Sequence, residues 1–526
     1  MQYRGGLEIL ADSPMVFGAA HHEDFRSFRP DVAYSPVHDR YMVVWEQEAN
    51  ARDSWQIFAR QLSGRGTIYR QHHVNTFKSG NGLSALRNRH PRVIASNDGR
   101  FIVVWQADLK SGRFTPLETE IFGRMFRATG DPSLYPFRIS FAGLTGDTAA
   151  RAETPEIAYN SKHDEFLVVW RANAPLLAEG NGVWEIYSIR LRASDAHRLG
   201  VANKLTTTST AEAPATSPVV AYNAVDNNYF LVWQGTDGRA VSMAAGEKEI
   251  IGRPLDLNGK RTSVPGTRVS DMGAPRNRAF GSSQPDIAYN VRDNQYLVVW
   301  RGNNGIPNDF EIHGQFLNNI GRDVGSNFQI SDMGVAGGIA HFFPARDPVV
   351  CYQEGRNEYL VVWAGTDSLP GMIVGEEEIF GRYLTESGLD RSEPFRMSDL
   401  GPDGNNRFDA ANPAVTSNGS GEYLVAFDGN DDRSPLTEER TAIFGQRFDS
   451  VRPLEFLRIT GIRLVEGVLE ITFEATEGTP TQVQGSVDLE NWSFVSNIVA
   501  AEGVTTYRDE DAFSENRARY YRIIVR

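Results

Sequence analysis

The phrase PDIAYNVRDNQYLVVW, Pro285 to Trp300, occurs seven times in altered spelling, and this repetition constrains the fold more than any other feature. Aligned on the closing aromatic, the copies end RYMVVW at Trp45, RFIVVW at Trp105, EFLVVW at Trp170 and NYFLVW at Trp233. They continue with QYLVVW at Trp300, EYLVVW at Trp363 and EYLVAF at Phe427. Successive intervals are 60, 65, 63, 67, 63 and 64 residues. A fixed period with this much shared pattern marks a repeat architecture, in which each unit buries its apolar faces against its neighbours.

Each copy holds four short apolar runs. The first is PxVAYN or PxIAYN, and the second is YLVVW. The third is EIFGR, at Glu120–Arg124 and Glu378–Arg382, and the fourth is FRIS or a variant of it. Runs of β-branched and aromatic residues bounded by Gly, Asn, Asp and Pro predict strands, and no segment between them keeps a helical period. LVVW is apolar at consecutive positions, which suits a strand covered on both faces. Four strands per copy over seven copies predict an all-β, seven-bladed β-propeller over residues 1–452. A ring must close, or blade faces and strand edges are exposed. The N-terminal run GLEILADSP is expected to supply the outer strand of the last blade, with FLRITG (Phe456–Gly461) as the other candidate.

The repeat stops near Val451. Residues 453–526 alternate in strand fashion between Gly, Thr and Pro turns, which predicts a small immunoglobulin-like or fibronectin-like β-sandwich. This tail carries Ser486, Asp488, Leu489 and Trp492, then Tyr520, Tyr521 and Arg522. In those residues it resembles the C-terminal sandwich of secreted planctomycete and verrucomicrobial proteins, and the AYN…YLVVW copies resemble secreted bacterial propeller repeats. The resemblance implies a secreted or cell-envelope location and no particular reaction. The opening MQYRGGLEILADSP has no apolar signal core, so the sequence is expected to be a mature or cytosolic chain.

Net charge is −14, from 67 acidic against 53 basic residues, and no run approaches a membrane span. That balance argues against nucleic acid and anionic membrane surfaces as partners. The lone Cys351 takes the alanine place of VAYN, an expected core position where a thiol is inert. The pairs His21–His22 and His72–His73 lack zinc spacing, and P-loop, dinucleotide and GxSxG patterns are missing. Asp428, Asn430, Asp431 and Asp432 in DGNDD offer alternating oxygen ligands for a weak calcium site, without the later bidentate Glu of an EF-hand. Glu120, Glu185, Glu249, Glu311 and Glu378 recur before the third run, so a structural role is expected, paired with the Arg of the GR dipeptide.

The turn between the first two runs is short and uniform, whereas the second-to-third and copy-to-copy loops are long and varied. In a propeller those loops share one face, the expected working face. The repeated Trp residues read as packing. The non-repeated Trp55, Trp184 and Phe310, placed just before third strands, are candidates for stacking on sugars. Two functions are expected. The first is a non-enzymatic binding or scaffold protein holding a glycan or protein partner on the loop face, possible subunit of a larger extracellular assembly. The alternative is a carbohydrate-active glycosidase or lyase in the central depression, a reading that a cluster of non-repeated carboxylates with an Arg at the channel mouth would favour.

Overall fold

A computed structural model of the chain describes residues 15–16, 26–48, 54–64, 66–76, 84–110, 118–143, 149–173, 183–207, 214–235, 248–272, 280–303, 310–333, 344–366, 375–388, 392–401, 405–430 and 441–449, followed by 457–465, 468–475, 480–486, 493–499, 501, 504–509 and 520–525. Every regular element among them is a strand. The strands divide into two compact units, with the change between Phe448 and Asp449.

In the larger unit each copy lays its strands side by side in sequence order. In the fifth copy Ser282–Asn290 pairs antiparallel with Gln295–Gly302, that strand with Glu311–Asn318, and that one with Asp323–Gln329. The third, fourth and sixth copies form four-stranded sheets of the same order, and the first two share an eight-stranded sheet joined by the parallel pairing of Trp55 with Arg87. The seventh copy takes its fourth strand from the other end of the chain, where Met15–Val16 pairs with Gly445 and Phe444. The GLEILADSP run just before it lies outside the described residues. FLRITG does not enter this sheet: Leu457–Val465 pairs with Val468–Ala475 in the smaller unit.

The first strands of successive copies lie against one another, and Ala410–Ser417 of the last copy returns to Ser27–Ser35 of the first. Apolar cores fill the spaces between neighbouring sheets. Trp170 and Tyr187 of the third copy pack on Val104 and Ile121 of the second, and Trp300 packs among fourth-copy residues that include Phe230 and Val232. All six repeated Trp residues are buried, in keeping with the continuous apolar run of the second strand that leads into each of them. Four-stranded antiparallel sheets arranged about their first strands, with cores between sheets, make a β-propeller.

Two repeated polar devices tie the sheets. The Arg of the GR dipeptide reaches to the preceding copy: Arg124 donates to the His73 and Val74 carbonyls at 3.0 and 2.8 Å, Arg253 to Leu205 at 2.7 Å and Arg382 to Ile330 at 2.8 Å. The repeated Glu therefore has another partner than expected. Glu378 pairs with Arg396 of the fourth strand at 2.6 Å and accepts from the Ser398 hydroxyl, and Glu249 pairs with Arg268 at 2.5 Å and accepts from Ser270. The correction has a simple cause. The Arg of GR lies four residues along the same strand as the Glu, whereas the FRIS-type Arg lies on the neighbouring strand beside it.

The smaller unit consists of two three-stranded sheets. Ile471 and Phe473 of one and Val483 and Ile523 of the other share one core. Tyr521 donates to Asp509 at 2.7 Å, and Asp488, Leu489 and Trp492 lie outside the described residues.

Candidate active site

The proline of the PxVAYN motif has no N–H to give to a ladder, so a strand that contains it must bulge or lie at an edge. In all seven copies the first strand bulges there, as between Phe28 and Asp31 in the first copy and between Ser283 and Asp286 in the fifth. The residue before each proline takes a left-handed conformation, with φ between 48° and 54°. These residues are Arg29, His90 and Thr154 in copies one to three, Ser217 and Gln284 in the next two, and Asp347 and Asn412 in the last two. None is glycine. A non-glycine residue in this region costs about 1 kcal/mol or more, and bulges of this kind re-aim side chains beside active sites. The fold thus sets a rim of seven differing side chains at one end of the central strands.

The residue after each proline forms a floor beneath the rim. Here stand Asp31, Arg92, Glu156 and Asp286, with Val219, Val349 and Ala414 completing the circle. Although they sit on the innermost strands, the Arg92 and Glu156 side chains keep 35% and 19% of their exposure, so the axis is not packed solid around them. Arg92 Nε donates to Glu156 Oε2 at 2.7 Å. Asp31 accepts the Val93 N–H and Asp286 the Val350 N–H, both at 2.7 Å, each reaching to the next copy.

Protein surrounds these carboxyls on all sides of the narrow axis. Desolvation pushes Asp31 up to about 6, opposed by Arg92 and reinforced by Glu156. It pushes Asp286 up to about 7, opposed by the Val350 N–H and reinforced by Glu156. Both acids therefore exchange their protons near neutrality, each under the electrostatic influence of Glu156, a third carboxylate already ion-paired to Arg92. Acids tuned in this way are what proton-transfer catalysis requires.

His90 stands at the rim. Enclosure, then the charges of Arg29, Arg92, Arg89 and Arg171, drive its pKa down to about 3, so the imidazole is neutral at physiological pH. Its backbone N–H donates to Glu46 at 2.9 Å, and Arg29 Nη1 donates to the same carboxylate at 2.6 Å. Glu46 follows the anchor Trp45, and Gln106 and Asp428 follow their own anchors. Gln106 accepts the Thr154 N–H and Asp428 the Arg29 N–H, so this position latches one copy to the rim residue of the next.

That latch decides where the proposed calcium ligands stand. Asp428 is buried, accepts from Arg29 and Asn412, and is raised to about 7 chiefly by desolvation. Asn430 accepts from the Asp409 N–H at 2.9 Å, while Asp431 and Asp432 lie outside the described residues. Among the described residues no group of three or more His, Cys, Asp or Glu is arranged to hold a metal ion. His72 and His73 lie on a fourth strand, with His73 stacked on Phe58; His21 and His22 lie outside the described residues. Cys351 is only partly buried, a departure from the expected core position. Its thiol, raised to about 12 by desolvation, is not a nucleophile at neutral pH.

The three candidate aromatics share the rim end of their sheets, and an arginine covers a face of each ring. Arg89 lies 4.6 Å from the ring centre of Trp55, Arg171 4.7 Å from that of Trp184, and Arg301 3.7 Å from that of Phe310. Trp55 is itself buried, with the Phe28 ring centre 5.8 Å from its own. The rim and floor were missed in the sequence, yet a signal was present. They are the two positions flanking the repeated proline: the one before it differs in all seven copies, and the one after it varies among Asp, Glu, Arg, Val and Ala.

No protein-family model and no curated protein matches the chain. Among solved structures it is similar to the β-propeller domain of the Trilobed protease from Pyrococcus furiosus, at 8% identity over 81% of this chain and 96% of that one, with a TM-score of 0.43. It is also similar to a polysaccharide lyase, a PL25 ulvan lyase, at 8% identity over 82% of this chain and 97% of that one, with a TM-score of 0.46. A Hadza microbial sialidase gives 11% identity over 78% of this chain and 76% of that one, with a TM-score of 0.43. Likeness at this level carries no argument about reaction, which rests on the residues.

Proposed function

We propose that this protein is a seven-bladed β-propeller enzyme that cleaves glycosidic bonds at the mouth of its axial channel, followed by an immunoglobulin-like sandwich over residues 453–526, and that it works outside the cell or in the envelope. The observation that carries the reading is the floor cluster. Asp31, Glu156 and Asp286 are carboxylates that three of the seven copies place at this position, set with Arg92 beneath a rim that the fold holds in a strained conformation.

In this reading Asp286, protonated near neutrality, gives its proton to the glycosidic oxygen as the C–O bond breaks. Glu156, oriented by Arg92, is the carboxylate that meets the developing positive charge at the anomeric carbon or activates the attacking water. Asp31 is the remaining proton acceptor. The test is to incubate the full chain with a panel of neutral and acidic polysaccharides, reading new reducing ends and the ultraviolet absorbance of unsaturated products. Turnover that disappears in Asp286→Asn and Glu156→Gln, with the melting temperature kept, supports the reading. Turnover unchanged in both variants defeats it.

A second reading is favoured by the hydrogen bonds of Asp31 and Asp286 to the next copy's backbone, which suit carboxyls that hold the ring. The protein is then a non-enzymatic binding or scaffold protein whose rim grips a glycan or protein, and the same screen returns saturable binding without products.

A further inference from the structure

The rim holds arginines that, among the described residues, have little direct pairing with the protein's own acids. Arg89 rests on Trp55, and its Nε has no hydrogen-bond partner. Arg301 rests on Phe310 and donates from Nε to the Ala345 carbonyl at 3.2 Å. Among the described residues neither is paired with a carboxylate. Arg171, on Trp184, shares Glu153 with Arg151 at 2.6 and 2.8 Å, so two guanidiniums divide one negative charge. In a chain of net charge −14, these three guanidiniums have among the described residues only the shared Glu153 as an ion-pair partner, with Asp347 acting on Arg301 from farther off.

Their geometry is also specific. Arg301 pairs with Ile312, and Phe310 lies two residues before that partner, so the two side chains are diagonal neighbours on one sheet face. Arg171, Ile186 and Trp184 repeat the relation in the third copy. Trp55 is the parallel partner of Arg87, and Arg89 stands two residues further along. A guanidinium lying on an aromatic face is fixed in orientation and still has its N–H edge to offer, in a fork that matches a carboxylate or sulfate.

We infer that the channel mouth recognises an anionic polysaccharide, whose uronate carboxylates or sulfate esters are received by Arg89, Arg171 and Arg301 on their aromatic supports. The inference names the substrate class of the site proposed above and rests on the reading of that mouth as a glycan site. It also gives the three aromatics a different task, since they hold arginines instead of sugars. His90, held neutral first by its enclosure and then by the nearby Arg29, Arg92, Arg89 and Arg171, adds no charge to the site.

The test is titration of the full chain with polygalacturonate, a sulfated galactan, a neutral glucan and polyglutamate at two salt concentrations. One or both acidic glycans should bind more tightly than the glucan and the polypeptide, with an affinity that falls as salt rises. Arg89→Gln and Arg301→Gln should each weaken that binding about tenfold, the loss expected for one charged hydrogen bond, while Arg192→Gln, at a surface pair with Asp195, should not. Equal binding of the glucan, equal binding of polyglutamate, or no binding at all overturns the inference, as does indifference to both rim variants. If a rim variant does not fold, the wild-type salt dependence decides, and a salt-independent affinity counts against it. Acidic glycan bound but not cut keeps the inference and sinks the enzyme; glucan cut and acidic glycan ignored does the reverse.

Discussion

The two ends of the central strands follow opposite rules. At the turn joining first and second strands five of the seven copies keep one pattern, a tyrosine donating to an Asp or Asn, as Tyr34 to Asp39 and Tyr159 to Asp164. Tyr222, Tyr289 and Tyr352 donate to Asn227, Asn294 and Asn357 at 2.9, 2.9 and 2.8 Å, and each of these Asn residues sits at positive φ. Asn223 donates to Asn294, and Asn290 to Asn357, so each turn also latches the next. At the rim the backbone repeats just as faithfully, with seven bulges and seven left-handed residues, but the side chains do not: Arg, His, Thr, Ser, Gln, Asp and Asn occupy equivalent places. Where side chains repeat, they serve the ring. Where only the backbone repeats, the side chains are free to serve a ligand.

Breaking the repeated part should cost stability. The largest effect is expected at an anchor: Trp363→Ala removes a fully buried ring and should cost roughly 3–5 kcal/mol in unfolding free energy, measured by denaturant melts. Next comes Asn290→Ala, which leaves the Arg292 and Asp293 N–H groups without their acceptor and removes the link to Asn357, at about 1–3 kcal/mol. The rim sharpens the contrast from the other side. Arg89→Gln should change stability by about 1 kcal/mol or less, the loss of one stacked cation, while weakening ligand binding.

A smaller effect separates the floor from the turns by pH. The pKa of Asp286 is 3.8 in the unfolded chain and about 7 in the fold, so the folded state holds its proton over that window. Stability from this group is full below about pH 4 and falls as pH rises through 7. Asp286→Asn removes the dependence, so its melting temperature relative to wild type should rise between pH 4 and pH 8. Asn290→Ala, which has no titratable group, should show a constant difference. A constant offset for Asp286→Asn as well would contradict the assignment.

How much of this was legible depended on whether the relevant residues repeat. The propeller could be read because Trp45 and its five counterparts, the four apolar runs of each copy and the prolines recur at a nearly fixed period. The roles of Trp55, Trp184 and Phe310 could be read only halfway. Their non-repetition marked them, but the arginines over them come from other strands, and Arg89 comes from the next copy. The repeated Glu was recognised as structural, yet its partner was misassigned because sequence proximity along one strand was mistaken for proximity across two. The floor escaped notice for the opposite reason. Asp31, Arg92, Glu156 and Asp286 are the variable letter inside the most regular phrase of the chain, and only the closed cycle of first strands brings them to one axis.

The most direct test is to measure cleavage of acidic polysaccharides by the wild type and by Asp286→Asn, with melting temperatures taken on the same samples. A catalytic floor predicts product from the wild type and none from a variant that melts at or above the wild-type temperature near pH 8. Equal product from both, or binding without product from the wild type, would contradict it and leave the channel acids as fasteners of the ring.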